Sequence, residues 1–286
     1  MTSFQISRII PILFLWLFIP IVVGHGFVHT VAIGNKDYPG WSPFSDPYAS
    51  PLPQRIVRKI PSDGPIEDAK SANISCNAGG ETGTPVVAEV AAGTTVTFDW
   101  SYWPSDHLGP VSTYMTSCNS NCSSFDVSGA KWFKIDAAGY DNGQWASAKL
   151  IADNFLWNST VPEALAPGQY LMRHEIVALH TVGAPQFYPS CTQVEITGSG
   201  SGKPASQDLV AIPGVYDDTQ WPDIYTNFGT FAIPGPEVVN LGGGGSSPSS
   251  ASSTASSSTS TPTNGTTCGL SKARLSKRHR IVKRSD

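Results

Sequence analysis

The chain has 286 residues, a formal net charge of −4 and only 14% charged residues. Its 27 glycines and 23 prolines favour a turn-rich β protein over a helical one. Between residues 25 and 241 ten Lys and Arg face 21 Asp and Glu, and this net of −11 argues against binding nucleic acid or another polyanion.

The N-terminus reads as a secretory signal over residues 1–24. Arg8 precedes an apolar run at 9–23, which Pro11 and Pro20 interrupt. Val22 and Gly24 are small enough for the −3 and −1 cleavage positions. The run is too short and too broken for a comfortable membrane span, and no later segment supplies one. Cleavage after Gly24 makes His25 the first residue of the mature chain.

Secretion permits disulfides. Cys76, Cys118, Cys122 and Cys191 fall in the globular part and Cys268 in the tail. Four cysteines allow three pairings, and sequence alone leaves the choice open. The close spacing of Cys118 and Cys122 suggests a local loop staple. Pairing Cys76 with Cys191 would then close a long loop worth roughly 4–5 kcal/mol in the chain-entropy model. Glycosylation sequons stand at Asn73, Asn121, Asn158 and Asn264.

Residues 25–241 form the expected globular domain. "TTVTFDWSY" (94–102) alternates with period two, and 168–179 and 191–196 also read as strands. "PSDG" and "APGQY" read as turns. Short helical or irregular insertions are expected around 135–155. No internal repeat or long helical period is present, so an antiparallel β-sandwich of immunoglobulin or fibronectin-III type with long loops is expected. Residues 242–286 open with GGGG, continue Ser/Thr-rich and end basic, which reads as a linker and solvated tail without a carbohydrate-binding module. Lys277-Arg278 and Lys283-Arg284 are candidate trimming sites.

No nucleophile elbow, phosphate loop or zinc-protease motif occurs. The informative residues are histidines. Once cleavage frees its amine, His25 can chelate one metal ion through that amine and its ring. A second histidine completes three nitrogens in a planar T, an arrangement suited to Cu(II). His107 in "SDHLGPVSTYM" (105–115) supplies a candidate, and "RHEIVALHTVGAPQFYPSC" (173–191) carries His174, His180, Gln186 and Tyr188.

The N-terminal His-Gly-Phe, the His-x-Gly-Pro-Val segment, "AKWFKIDAAGYDNGQWAS", "LAPGQYLMRHEIVALH", "QFYPSC" and "AIPGP" together resemble the lytic polysaccharide monooxygenases of auxiliary activity family 9, formerly glycoside hydrolase family 61. The resemblance covers about residues 25–240. It implies one copper ion per chain held by His25, its amine and His107, with Tyr188 as the axial oxygen. His180 and Gln186 are implied as donors near the reacting oxygen, and Arg173 as their support. Arg173 and His174 lie on a segment whose alternative role is strand structure. The resemblance also implies the pairs Cys76–Cys191 and Cys118–Cys122. His29 matches no site position and is expected to be a surface or structural residue.

The implied reaction is oxidative cleavage of a β-1,4-glucan, cellulose or a related hemicellulose, at C1 or C4 using an external reductant and O2 or H2O2. The partners are the polysaccharide and an electron donor, and the protein is expected to act as an extracellular monomer away from membranes. Aromatic faces for sugar stacking are sought at Tyr38, Trp41, Phe44 and Tyr48 and at Tyr216 and Trp221. The segment "TVGAP" (181–185) is shorter than the family pattern, with Pro185 before Gln186, which puts the placement of His180 in question. Two other readings stand beside the enzyme: a secreted copper-binding protein of the same fold without cleavage, and a carbohydrate-binding protein without redox chemistry.

Overall fold

In Thr95–Trp100 the side chains of Val96, Phe98 and Trp100 point inward and their neighbours outward, which is the period-two pattern of a strand with one buried face. The computed structural model describes residues 24–241 apart from Asp218. Residues 1–23 of the expected secretory signal, Asn264, Cys268 and the tail with its candidate trimming sites lie outside the described residues. By contacts the chain parts into Met1–Gly244 and Gly245–Asp286.

In chain order the elements are β1 (Val28–Ile33), β2 (Lys36–Pro39), β3 (Ala88–Ala91), β4 (Thr95–Trp100), β5 (Val111–Ser117), β6 (Lys131–Ala138), β7 (Tyr140–Asp141), β8 (Gln144–Trp145), α1 (Ala146–Ala152), β9 (Leu156–Thr160), β10 (Gly168–Ala178), β11 (Gln186–Thr197) and β12 (Val210–Ala211). One large sheet runs β2-β1-β4-β9 and the second β12-β6-β5-β10-β11-β3, while β7 and β8 pair as a separate two-stranded sheet. Pairing is antiparallel except at the β11–β3 edge, where β3 lies parallel to Val194–Thr197. The helix α1 falls within the expected insertion at 135–155.

β10 is buried along most of its length, and its two faces serve different cores. Tyr170, Met172, Ile176 and Ala178 face the four-stranded sheet, packing with Phe98, Trp100, Met115, Phe133 and Tyr188. Leu171, Val177 and Leu179 face the other way, against Tyr114, Trp132, Phe187 and the four cysteines. Each fully buried large apolar side chain contributes about 1.5–3 kcal/mol. Loops cover the second face. The structure forms Cys76–Cys191 and Cys118–Cys122, and both bonds sit within this outer cluster.

Buried polar side chains tie the loops down. Arg58 donates to Gln193 and to the carbonyls of Gly80, Glu81, Cys122 and Phe125. Arg173 donates to the carbonyls of Ile74 and Ser75 and to Glu175, and the Tyr216 hydroxyl donates to the other oxygen of Glu175. Arg173 therefore anchors the segment leading to Cys76, a role in the fold. His174 is fully buried on the opposite face. It accepts from the Trp100 indole at 3.1 Å, pairs with Thr113 at 2.9 Å and stacks on Phe98. Burial, with Arg173 beside it, pushes its pKa down to about 3, so it is neutral in the fold.

Candidate metal centre

The two family-like histidine motifs are held in place by glycines that no other residue can replace without shifts. A Cβ at Gly26 would lie 1.7 Å from the Tyr102 carbonyl oxygen, and one at Gly109 would lie 1.8 Å from that of Val177. Gly26 lets the chain after His25 press against the Tyr102 backbone. Gly109 lets the chain after His107 run against the end of β10, where the amide of Val177 donates to Pro110 and that of Leu179 to Leu108. Both imidazoles thus arrive at the same end of the sandwich.

The Tyr188 side chain reaches that end from β11, on the face opposite Phe187. The His25 ring lies 5.3 Å from the His107 ring at 71° and 5.8 Å from the Tyr188 ring. Tyr188 is 3% exposed. Burial, with the Asp63 and Glu67 carboxylates, pushes its hydroxyl well above the ordinary phenol range, so it remains a donor. That hydroxyl donates to Gln186 Oε1 at 2.9 Å. The bond turns the amide oxygen toward Tyr188 and the NH2 donors away from it.

His180 follows β10 at the foot of the hairpin, where Ala178 pairs with Gln186. Its ring stacks on His107 with centroids 3.8 Å apart and planes 20° apart. The shortened segment 181–185 closes as a turn, with the Ala184 amide donating to Thr181, and still delivers His180 to the site. Burial and the neighbouring His107 lower the His180 pKa.

Three partners escaped the reading of the sequence. The Trp103 indole donates to the His107 carbonyl at 2.8 Å and packs edge-on against Tyr188 at 4.8 Å. Asp106 Oδ1 lies 2.8 Å from His107 Nδ1, and this hydrogen bond holds the Asp106 carboxyl below its ordinary range. The Tyr225 hydroxyl donates to the His180 carbonyl at 3.0 Å. Asp106 and Trp103 stand one and four residues before His107 and were within reach of a local search. Tyr225 is 45 residues from its partner, and no local pattern points to it.

The donor set fits a metal. His107 Nε2 is buried without a hydrogen-bond partner, which leaves this nitrogen open to a ligand. The His107 ring lies beside the His25 imidazole, which lies beside the Tyr188 phenol, and nitrogen donors of this kind suit copper. Among the described residues no three His, Cys, Asp or Glu side chains gather as a metal cluster.

The aromatic residues expected at a sugar-facing surface divide differently. Trp41 is 5% and Tyr216 9% exposed, so their faces are covered by packing. Tyr216 stacks on Phe187 and is held by Glu175, and Trp221 packs against Phe187 and Phe231. Tyr38 is half-buried with Lys36 over its ring. The expectation for Trp41 and Tyr216 is therefore corrected. In the same first loop Phe44 and Tyr48 are exposed, and Phe44 packs against Phe27, two residues after His25. His29 is exposed, as expected, and pairs with Asp99.

The family model that matches the chain is Auxiliary Activity family 9 (formerly GH61), over residues 25–232, beginning on His25 itself. A similar protein, AA9 family lytic polysaccharide monooxygenase A of Gloeophyllum trabeum, is 46% identical over 251 residues, covering 82% of this chain and 77% of its own. Monooxygenase B of the same fungus is 43% identical over 231 residues, covering 76% and 92%. Among solved structures, a cellulose-active polysaccharide monooxygenase from M. thermophila superposes with a TM-score of 0.68 at 38% identity, covering 75% of this chain and 99% of its own. The extended catalytic domain of H. jecorina LPMO9A gives 0.70 at 34% identity, covering 75% and 91%.

Proposed function

Because this chain belongs to Auxiliary Activity family 9, the copper-dependent lytic polysaccharide monooxygenases, we propose that it is secreted, cut after Gly24, and cleaves cellulose or a related β-1,4-glucan from a copper site at His25, His107 and Tyr188. The observation that carries this reading is the buried, unpartnered Nε2 of His107, whose ring lies 5.3 Å from that of His25, which in turn lies 5.8 Å from that of Tyr188.

Cleavage after Gly24 frees the His25 amine, the third nitrogen that the side chains lack. His25, through amine and ring, and His107, through Nε2, would hold the ion, with the Tyr188 hydroxyl nearby. Copper, when bound, supplies the one-electron redox chemistry by which an external reductant and O2 or H2O2 hydroxylate a sugar C1 or C4.

The chain's own residues set the surroundings. Tyr188 stays protonated and fixes Gln186 through their hydrogen bond. Gln186 thereby presents its NH2 donors, and His180 brings a buried, unpartnered Nδ1 to the same end of the sandwich. Both groups could orient a small oxygen ligand or a sugar hydroxyl held at this end of the sandwich. Trp103 packs beneath Tyr188 and His107 and excludes water from below the site. Phe44 and Tyr48 offer exposed faces for sugar rings. Asn73, Asn121 and Asn158 are exposed and fit glycan attachment during secretion.

The cellulose activity named for the M. thermophila structure supports the substrate. The test is incubation of the copper-loaded mature protein with cellulose and ascorbate. Oxidised oligosaccharides are expected, and their absence from cellulose, xyloglucan, glucomannan and xylan alike overturns the reading.

A further inference from the structure

His107 is the better defined of the two imidazoles, and its definition comes from a residue with no assigned role. Its ring is held on three sides. His180 stacks on one face at 3.8 Å, the Trp103 ring stands perpendicular to it at 6.0 Å, and Asp106 meets Nδ1 in a 2.8 Å hydrogen bond. A carboxylate only accepts hydrogen bonds, so the proton of a neutral His107 must sit on Nδ1. The Nε2 lone pair is then left free, and this is the atom the structure buries without a partner.

We propose that Asp106 is the positioning residue that fixes the tautomer and rotation of His107 and so makes Nε2 the metal-binding nitrogen. The proposal rests on the reading of His107 as a copper ligand. A histidine ligand whose far nitrogen donates to a carboxylate is oriented in advance and becomes a stronger electron donor. The exposures suit this role. The His107 side chain is 10% exposed and that of Asp106 is 74% exposed. The carboxylate stays hydrated while one oxygen reaches the ring edge, so no buried charge has to be compensated. Sequence adjacency makes the contact local, and the Trp103 bond to the His107 carbonyl closes the short loop that carries both residues.

The experiment uses the mature, metal-free protein and two variants, Asp106→Ala and Asp106→Asn. Because Asp106 is exposed, both are expected to fold, and thermal unfolding checks this. Long-range proton–nitrogen NMR reads the His107 tautomer directly, and Cu(II) titration reads affinity. The wild type is expected almost wholly in the Nδ1–H form. Asp106→Ala should mix the two tautomers and weaken Cu(II) binding by about 10–100-fold. Asp106→Asn keeps an acceptor oxygen and should restore the Nδ1–H form and part of the affinity. A wild-type His107 carrying its proton on Nε2, or an Asp106→Ala protein with unchanged tautomer and affinity, overturns the proposal. His107→Ala separates the two levels: unchanged Cu(II) affinity there overturns the copper assignment itself, whatever the tautomer spectra show.

Discussion

The indole Nε1–H of Trp103 donates to the backbone carbonyl of His107 at 2.8 Å, bridging the turn that carries the ligand ring. Both groups are buried, so neither can exchange this bond for water. Trp103→Phe keeps an aromatic ring but leaves the carbonyl unpaired. It should lower stability by about 1–3 kcal/mol. It should also weaken Cu(II) binding, because the ring orientation is set from this loop. Chemical denaturation and copper titration of the same preparations check the two effects together.

Gly26 and Gly109 are steric requirements of the site. An added methyl group meets a backbone oxygen at 1.7 or 1.8 Å, and backbone cannot swing aside as a side chain can. Gly109→Ala should destabilise by about 3 kcal/mol or more. For a domain of this size that lowers Tm by roughly 6 °C or more. Gly129 has open space around it but a left-handed backbone with φ of 74°, so Gly129→Ala should cost only about 1 kcal/mol. Calorimetry of the two variants distinguishes collision from backbone strain.

Tyr188→Phe removes one hydroxyl and frees Gln186 Oε1. The ring still fills its place between His25 and Trp103, so stability should change by about 1 kcal/mol or less. Release of oxidised oligosaccharides should fall by roughly 10–100-fold, since the partner that orients Gln186 is gone. Gln186→Ala should give a smaller loss, and the double variant should lose less than the two effects combined, because part of the Tyr188 effect acts through Gln186.

His174 gives the fold an acid weakness. Its pKa is about 3 in the fold against 6.5 as an ordinary histidine. Between those values the unfolded chain binds a proton that the folded chain refuses. Stability from this group is therefore present above about pH 6.5 and is lost as pH falls toward 3, on the order of 1.4 kcal/mol per pH unit. His174→Gln can still accept from Trp100 but cannot take up the proton. It should be less stable at neutral pH and show a flatter acid limb, measured as unfolding free energy from pH 7 to 4.

The sandwich was legible because inward residues alternate in stretches such as Thr95–Trp100, and the helix α1 fell where an insertion was expected. Gln186–Ser190 was less legible as strand. The apolar signal there is spread over both faces of β11, because loops bury the outer side as fully as the second sheet buries the inner one. The candidate metal residues were legible through the resemblance, whose motifs carry His25, His107 and Tyr188. Their aromatic surroundings were not. Trp41 and Tyr216 look like sugar platforms in sequence, yet one lies in the interior and the other is held by Glu175. Burial of a loop residue depends on where distant segments return, and a sequence does not display that.

In the proposed function, the nitrogen released by cutting after Gly24 completes the site. The most direct measurement of this is Cu(II) titration of two proteins, one beginning at His25 and one retaining Gly24. The protein beginning at His25 should bind one ion tightly. Retention of Gly24 turns the amine into an amide and should weaken binding by more than the roughly 10–100-fold cost of losing an outer partner. Equal affinity in the two proteins would contradict the account.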